Sequence, residues 1–254
     1  MHLAAVQFNS VSFAYGEMPI LENTSFHIHC VEFAALVGPN GSGKTTVLKL
    51  ILGLEQPASG KITLFGDTHA GAKRDRIGFV SQQLPSDLSF PVTVRDVIRM
   101  GLLRPSRRYS ANARSLADEA MEQAEITSIA AMQWGSLSGG QKRRVLVARA
   151  LAAQSELLIL DEPAANMDAQ SEARLFDTLG KLKGSATILI VTHDMDYVSA
   201  LTDRVFCIGD SHQGRGIVQH RTEAAAGDSA HTGEAKLQRV LHGENIPGDE
   251  CCAS

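Results

Sequence analysis

A chain of 254 residues, 44% of them hydrophobic, carries enough apolar material for a core of its own and need not lean on disulfides or a structural metal for stability. Its formal charge of -4, from 28 acidic and 24 basic residues, leaves no global positive excess to hold a polyanion, so nucleic acid is not expected as a partner. Four cysteines, Cys30, Cys207, Cys251 and Cys252, are too few and too uneven for a disulfide framework and read as the reduced thiols of a cytosolic protein.

At the start, Met1 to Ala5 lacks a basic stretch followed by an apolar one. No run approaches the roughly 18 apolar residues of a membrane span, so a soluble chain is expected, with any membrane role reached through a partner. Short segments around Val6 to Phe8, Val11 to Phe13 and Ser25 to His29 alternate with period two and are broken at Gly16 and Pro19, which predicts antiparallel strands. Phe33 to Val37 is a short apolar run ending in glycine, as a buried parallel strand does, and Thr45 to Leu52 has helical apolar spacing closed by Gly53. From about Leu84 to Trp134 helices are predicted, clearest over Ala111 to Ile126, where Ser110 offers a cap and Leu116, Ala117, Ala120, Met121 and Ala124 share one face. A helix over Val145 to Ala153 follows, then strands over Leu157 to Leu160 and Ala186 to Val191 separated by a helix over Ala169 to Leu182, an alternation that implies a parallel sheet. Beyond Gly209 the apolar order fades. Only Glu234 to His242 has the pattern of a short helix, and residues 211–254 are expected to form a loosely held tail.

Three stretches carry chemistry. Gly38-Pro39-Asn40-Gly41-Ser42-Gly43-Lys44-Thr45, with Thr46 behind it, joins a buried strand to a helix, so that backbone N–H groups and the helix N-terminus converge on phosphate oxygens where side chains would block approach. Gly38, Gly41 and Gly43 supply the freedom, Lys44 neutralises terminal phosphates and the Thr45 hydroxyl is suited to Mg2+. The rival reading is a surface turn that happens to contain lysine. Downstream, Asp161 ends the apolar run Leu157 to Leu160, suited to Mg2+, and Glu162 is placed for an attacking water; a buried structural acidic pair is the alternative. Between them stands Leu137-Ser138-Gly139-Gly140-Gln141, a pentapeptide expected by chance in far fewer than about 0.1% of chains this long.

With those residues in this order, nearly all of 1–210 resembles the ATP-binding subunit of an ABC transporter. The resemblance implies an α/β fold: a P-loop NTPase (RecA-like) core with an antiparallel β subdomain and an inserted helical subdomain at about 84–144. It implies ATP and Mg2+ as cofactors, hydrolysis, and a homodimer in which Ser138, Gly139, Gly140 and Gln141 of one subunit cap the ATP of the other. Ser138 as a helix cap is compatible with that role. Gln82 stands where the family has its glutamine, able to reach Mg2+ or water, with Gln83 the lesser alternative. His193, directly after a buried strand, resembles the switch histidine that contacts the γ-phosphate. Tyr15 resembles the aromatic that stacks on adenine, with core packing as its rival. The implied catalytic set is thus Glu162, His193, Gln82 and Lys44, and the metal set Thr45, Gln82 and Asp161. Two departures stand out: Ala164-Ala165-Asn166-Met167 lacks the hydroxyls usual in that loop, and Ser81 replaces the usual proline. The stretch from Leu84 to Val97, with Phe90-Pro91-Val92-Thr93-Val94, resembles cassettes of zinc and manganese importers and shares parts with siderophore importers. Implied partners are an integral membrane permease and, through it, a periplasmic or surface substrate-binding protein, with the ATPase peripheral on the cytoplasmic face of the cell membrane. A soluble cassette acting on ribosomes or DNA is the other class considered. His212, His220, His231, His242 and Cys251-Cys252 suggest a metal-buffering tail, and Arg104, Arg107, Arg108 and Arg114 a lipid contact; a solvated tail and a solvated loop are the simpler readings.

Overall fold

The structure, a computed structural model, describes residues 3–68, 74–82, 91–103, 113–165, 167–193, 198–199, 201–211, 214–224 and 237–245. In chain order its elements are β1 (Ala4–Tyr15), β2 (Met18–His29), β3 (Phe33–Val37), α1 (Lys44–Leu52), β4 (Ser59–Leu64), β5 (Asp67–Thr68), β6 (Ile77–Val80), α2 (Val94–Met100), α3 (Ala113–Gln123), α4 (Gly139–Ala152), β7 (Leu157–Asp161), α5 (Ala169–Leu182), β8 (Thr187–Thr192), β9 (Val198–Ser199), β10 (Arg204–Ser211), β11 (Gly214–Ala224) and β12 (Leu237–Asn245). They fall into two units, Met1–Arg74 with Thr187–Ser254 and Asp75–Ala186. Among the described residues no helix is long and apolar enough to cross a membrane.

In the first unit, β1 and β2 form an antiparallel hairpin that turns at Gly16 (φ 60°), and β1 pairs antiparallel with β4, which pairs with β5. Phe8 stacks on Phe26 at 4.5 Å, and Phe26 meets Phe206 of β10 at 5.3 Å, which ties the antiparallel layer to the second sheet of this unit. That sheet centres on β3, all five residues of which are buried, with β8 and β10 parallel on either side. An all-apolar run is what a strand covered on both faces requires. The register puts Val37 beside both Thr192 and Cys207, so the carboxyl ends of the three strands lie together. Helix α1 closes on Gly53 in the left-handed region (φ 64°), as its glycine foretells.

Ser211 and residues 214–224 and 237–245, within the segment expected as a tail, lie in strands. β11 pairs antiparallel with β10 from Val205↔His220 to Ser211↔Gly214, and β12 pairs with β11 and β9, so Leu237–Asn245 is a strand, with His242 in it, where a short helix is expected. The edge of β10 offers a row of unpaired N–H and C=O groups, and this polar segment adds to it through its backbone, which apolar periodicity cannot report.

In the second unit, β6 and β7 pair parallel from Ile77↔Leu157 to Val80↔Leu160. A Cβ on Gly78 would lie 2.6 Å from that of Ala150, so β6 and α4 approach at a distance only glycine allows. Trp134 is buried, and Ala117, Ala120, Met121 and Ala124 bury the face predicted for α3. Arg95 of α2 holds Asp118 of α3 at 2.5 Å. Helix α4 starts at Gly139, as the reading of Ser138 as a helix cap implies and six residues before the apolar spacing from Val145, because Ser138 and Gln141 form a capping box: the Ser138 hydroxyl accepts from Gln141 N–H (3.2 Å) and the Gln141 side-chain amide oxygen from Ser138 N–H (2.9 Å).

Candidate functional site

The phosphate loop leaves β3 at a backbone only glycine can trace. A Cβ on Gly38 would sit 2.5 Å from the Ile208 carbonyl oxygen; Gly41 and Gly43 have φ of 82° and 107°, and a Cβ on Gly43 would meet Ile20 Cγ2 at 2.6 Å. Lys44 is buried and its ammonium donates to the carbonyls of Gly38 (2.7 Å) and Pro39 (3.1 Å), folding its charge over the loop. Among the described residues no side chain caps α1, and the buried Ser42 Oγ has no hydrogen-bond partner. An uncapped helix start, a cation and an orphaned hydroxyl together fit an anion with several oxygens, such as a polyphosphate. Thr45 is exposed in the first turn and Thr46 buried behind it; Pro39 and Asn40 are exposed.

Gly38 N–H donates to the Thr192 carbonyl at 3.3 Å, so β8 delivers His193, exposed, one strand away from the loop. Tyr15 is 42% exposed, which rules out its reading as a core residue. Its ring packs edge-on against Phe13 (4.9 Å), with the Lys49 ammonium 5.7 Å from the ring centroid, and its hydroxyl lies 3.4 Å from both Glu55 Oε1 and Lys49 Nζ. That sets an open aromatic face alongside α1.

In the other unit, the parallel register of Val80 and Leu160 releases Ser81-Gln82 and Asp161-Glu162 from neighbouring strand ends. Gln82 is exposed, Asp161 half-buried and Glu162 buried. Gln83 and residues 84–90 of the cargo-like stretch lie outside the described residues, as do Arg104, Arg107 and Arg108; Arg114 is exposed on α3. His212, His231, Cys251 and Cys252 are likewise outside them. Ser138 and Gly139 are exposed, whereas Gly140 is buried, with room for no Cβ because Ser171 Cβ would stand 2.8 Å from it. Asp168, retained in the otherwise altered loop, caps α5: its carboxylate accepts from Ser171 N–H (2.9 Å) and Ser171 Oγ–H (2.7 Å), and the Ser171 hydroxyl holds that carboxyl below the usual carboxylate range.

Glu162 itself has φ 47°, the left-handed region, without being glycine. Arg143 of α4 spans this turn from inside, donating to the carbonyls of Glu162 (2.8 Å) and Ala165 (3.1 Å). Burial lowers the guanidinium below its ordinary pKa, and the charges of Glu162 and Asp161 oppose that shift. Sequence reasoning passed over Arg143; the signal available was a cation run, Lys142-Arg143-Arg144, on a helix whose next six residues are almost wholly apolar.

A family model described as ABC transporter matches residues 21–165. The zinc uptake system ATP-binding protein ZurA of Listeria innocua is 36% identical over 222 residues, 82% of this chain and 86% of that protein. The manganese transport system ATP-binding protein MntB of Listeria monocytogenes is 36% identical over 218 residues, 84% of this chain and 90% of that one. Among solved structures, the dimeric bacterial cassette MJ0796 superposes with a TM-score of 0.67 at 28% identity, covering 80% of this chain and 93% of that chain.

Proposed function

The chain belongs to the ABC transporter family and is its ATP-binding, ATP-hydrolysing cassette, and we propose that it powers an importer for a divalent metal ion, zinc or manganese, through a separate membrane permease. The observation that carries the ATPase chemistry is the phosphate loop, with Lys44 buried over it and α1 left uncapped. The cargo reading rests on the zinc and manganese relatives, each similar over more than four-fifths of the chain.

In this reading Gly38 to Thr46 bind the triphosphate through backbone N–H groups, Lys44 neutralises it, and Tyr15 stacks on the adenine. Thr45, Gln82 and Asp161 are hard oxygen donors that suit Mg2+, which when bound offsets phosphate charge. Glu162 accepts the proton of the attacking water, and His193 holds the γ-phosphate. Two copies associate head to tail, each contributing Ser138, Gly139, Gly140 and Gln141 to its partner's ATP, and a substrate-binding protein delivers the ion to the permease. The ATPase body is residues 1–210, with the helical insert at about 84–144, and the cassette works on the cytoplasmic face of the membrane.

The test is reconstitution with a metal-importer permease, asking which metal, presented with its binding protein, raises ATP hydrolysis. Zinc or manganese is the expected stimulant; stimulation by an iron-siderophore and by neither metal overturns the cargo.

A further inference from the structure

Two consecutive arginines of α4, about 100° apart around the helix, do the same thing at two separate turns. Arg143, 4% exposed, donates to the carbonyl of Glu162 (φ 47°), and Arg144, 9% exposed, to the carbonyl of Glu125 (φ 53°) at 3.3 Å. Each of these glutamates is nineteen positions away along the chain, and each holds a left-handed backbone that costs a non-glycine residue roughly 1–2 kcal/mol unless its surroundings enforce it. Only one of the two turns bears the carboxylate assigned to catalysis. The second, at Glu125, follows the end of α3, and its exposed carboxylate pairs with Lys181.

We infer that Arg143 is a positioning residue for hydrolysis: by clamping the Glu162 and Ala165 carbonyls it fixes the left-handed turn that aims the Glu162 carboxylate, and so links the helix beginning at Ser138 to the base. The inference rests on the assignment of Glu162 as the base. Its geometry is specific, since two guanidinium nitrogens satisfy two carbonyls three residues apart, a fork that lysine or methionine cannot reproduce. The loop it braces is the one whose usual hydroxyls are replaced by Ala164 and Ala165, so the clamp supplies order from outside the loop. The adjoining contact of Gly140 with Ser171 packs the start of α4 against the start of α5, which bounds the same loop on its far side.

Arg144 provides the control, because removing it strips a buried guanidinium, carried by the same helix, from a left-handed glutamate outside the assigned site. In the full chain, Arg143→Met is expected to lower kcat about 10-fold to 100-fold with KM for ATP unchanged, as misaimed groups do. Arg144→Met, comparably destabilised by melting, is expected to keep kcat within about twofold. Arg143→Lys, which keeps the charge and one donor, recovers part of the loss and serves the same test should the methionine variant not fold. In a Glu162→Gln background Arg143→Met adds no further loss, since the two act through one group. An unimpaired Arg143→Met beside an inactive Glu162→Gln overturns this inference alone, as does an equal fall in kcat for Arg144→Met. A Glu162→Gln chain turning over at the wild-type rate overturns the base assignment and this inference with it.

Discussion

The phosphate loop and the Glu162 turn both bend the backbone into the left-handed region, one with glycines and the other without. At Gly41 and Gly43 the conformation costs little, and the close approaches of Gly38 and Gly43 to Ile208 and Ile20 leave no room for anything larger. At Glu162 the strain is real and a buried arginine from another element holds it. The helix starts divide the same way. Side chains cap α2, α4 and α5, with Thr93, Ser138 and Asp168, while α1 begins on Gly43 with no side-chain cap. A region built to receive phosphate keeps its backbone donors open, whereas a region built to aim a carboxylate uses its own side chains to fix the backbone.

The sharpest way to break that comparison is Gly43→Ala. At φ 107° with Ile20 Cγ2 2.6 Å from the new Cβ, it is expected to cost about 2–4 kcal/mol of stability and to weaken ATP binding at least about 100-fold, read by melting and nucleotide titration. A wild-type affinity would mean the loop is not held by its glycines.

Next in size is the side-chain cap of α2. Thr93 donates to Asp96 through its hydroxyl (2.6 Å) and its N–H (3.0 Å), and these bonds hold the Asp96 carboxyl below the usual range. Because the folded value is lowered, the contribution is full above the ordinary carboxylate value of about 3.9 and is lost as pH falls through the folded value. Asp96→Asn is therefore expected to cost about 1 kcal/mol at pH 7 and progressively less in acid, measured by denaturant melts across pH. A cost that grows on acidification would contradict the capping account.

The smallest effect sharpens the contrast from the other side. Val31 is β-branched, exposed and at φ 67°, with its N–H bonded to Thr187 Oγ1 at 2.9 Å. Val31→Gly is expected to raise stability by about 0.5–1 kcal/mol, relief of strain exceeding the entropy that glycine adds to the unfolded chain. A lowered melting temperature would show that this turn is not strained.

Much of this was legible in the residues. Phe33 to Val37, Ala169 to Leu182 and the α3 face at Ala117, Ala120 and Met121 follow apolar periods that burial enforces, and Gly53 closes α1 where its conformational freedom is needed. The nucleotide motifs were legible because phosphate chemistry permits few residue types. Other features depend on contacts that no local pattern encodes. β4 and β6 are strands through pairing with β1 and β7, and the tail strands β11 and β12 through an available edge rather than apolar alternation. Arg143 looks from sequence like one more surface cation, and its burial is set by a loop nineteen residues away. The start of α4 was legible in Ser138 as a helix cap, whereas apolar spacing alone places it six residues later, at Val145.

The central claim, that a buried, backbone-clamped Glu162 drives hydrolysis on a phosphate loop that binds ATP independently of it, is tested most directly by Glu162→Gln. ATP affinity and single-turnover hydrolysis would be measured on the same sample. The account predicts wild-type affinity with hydrolysis slowed about 100-fold to 10,000-fold. Hydrolysis at the wild-type rate would contradict it.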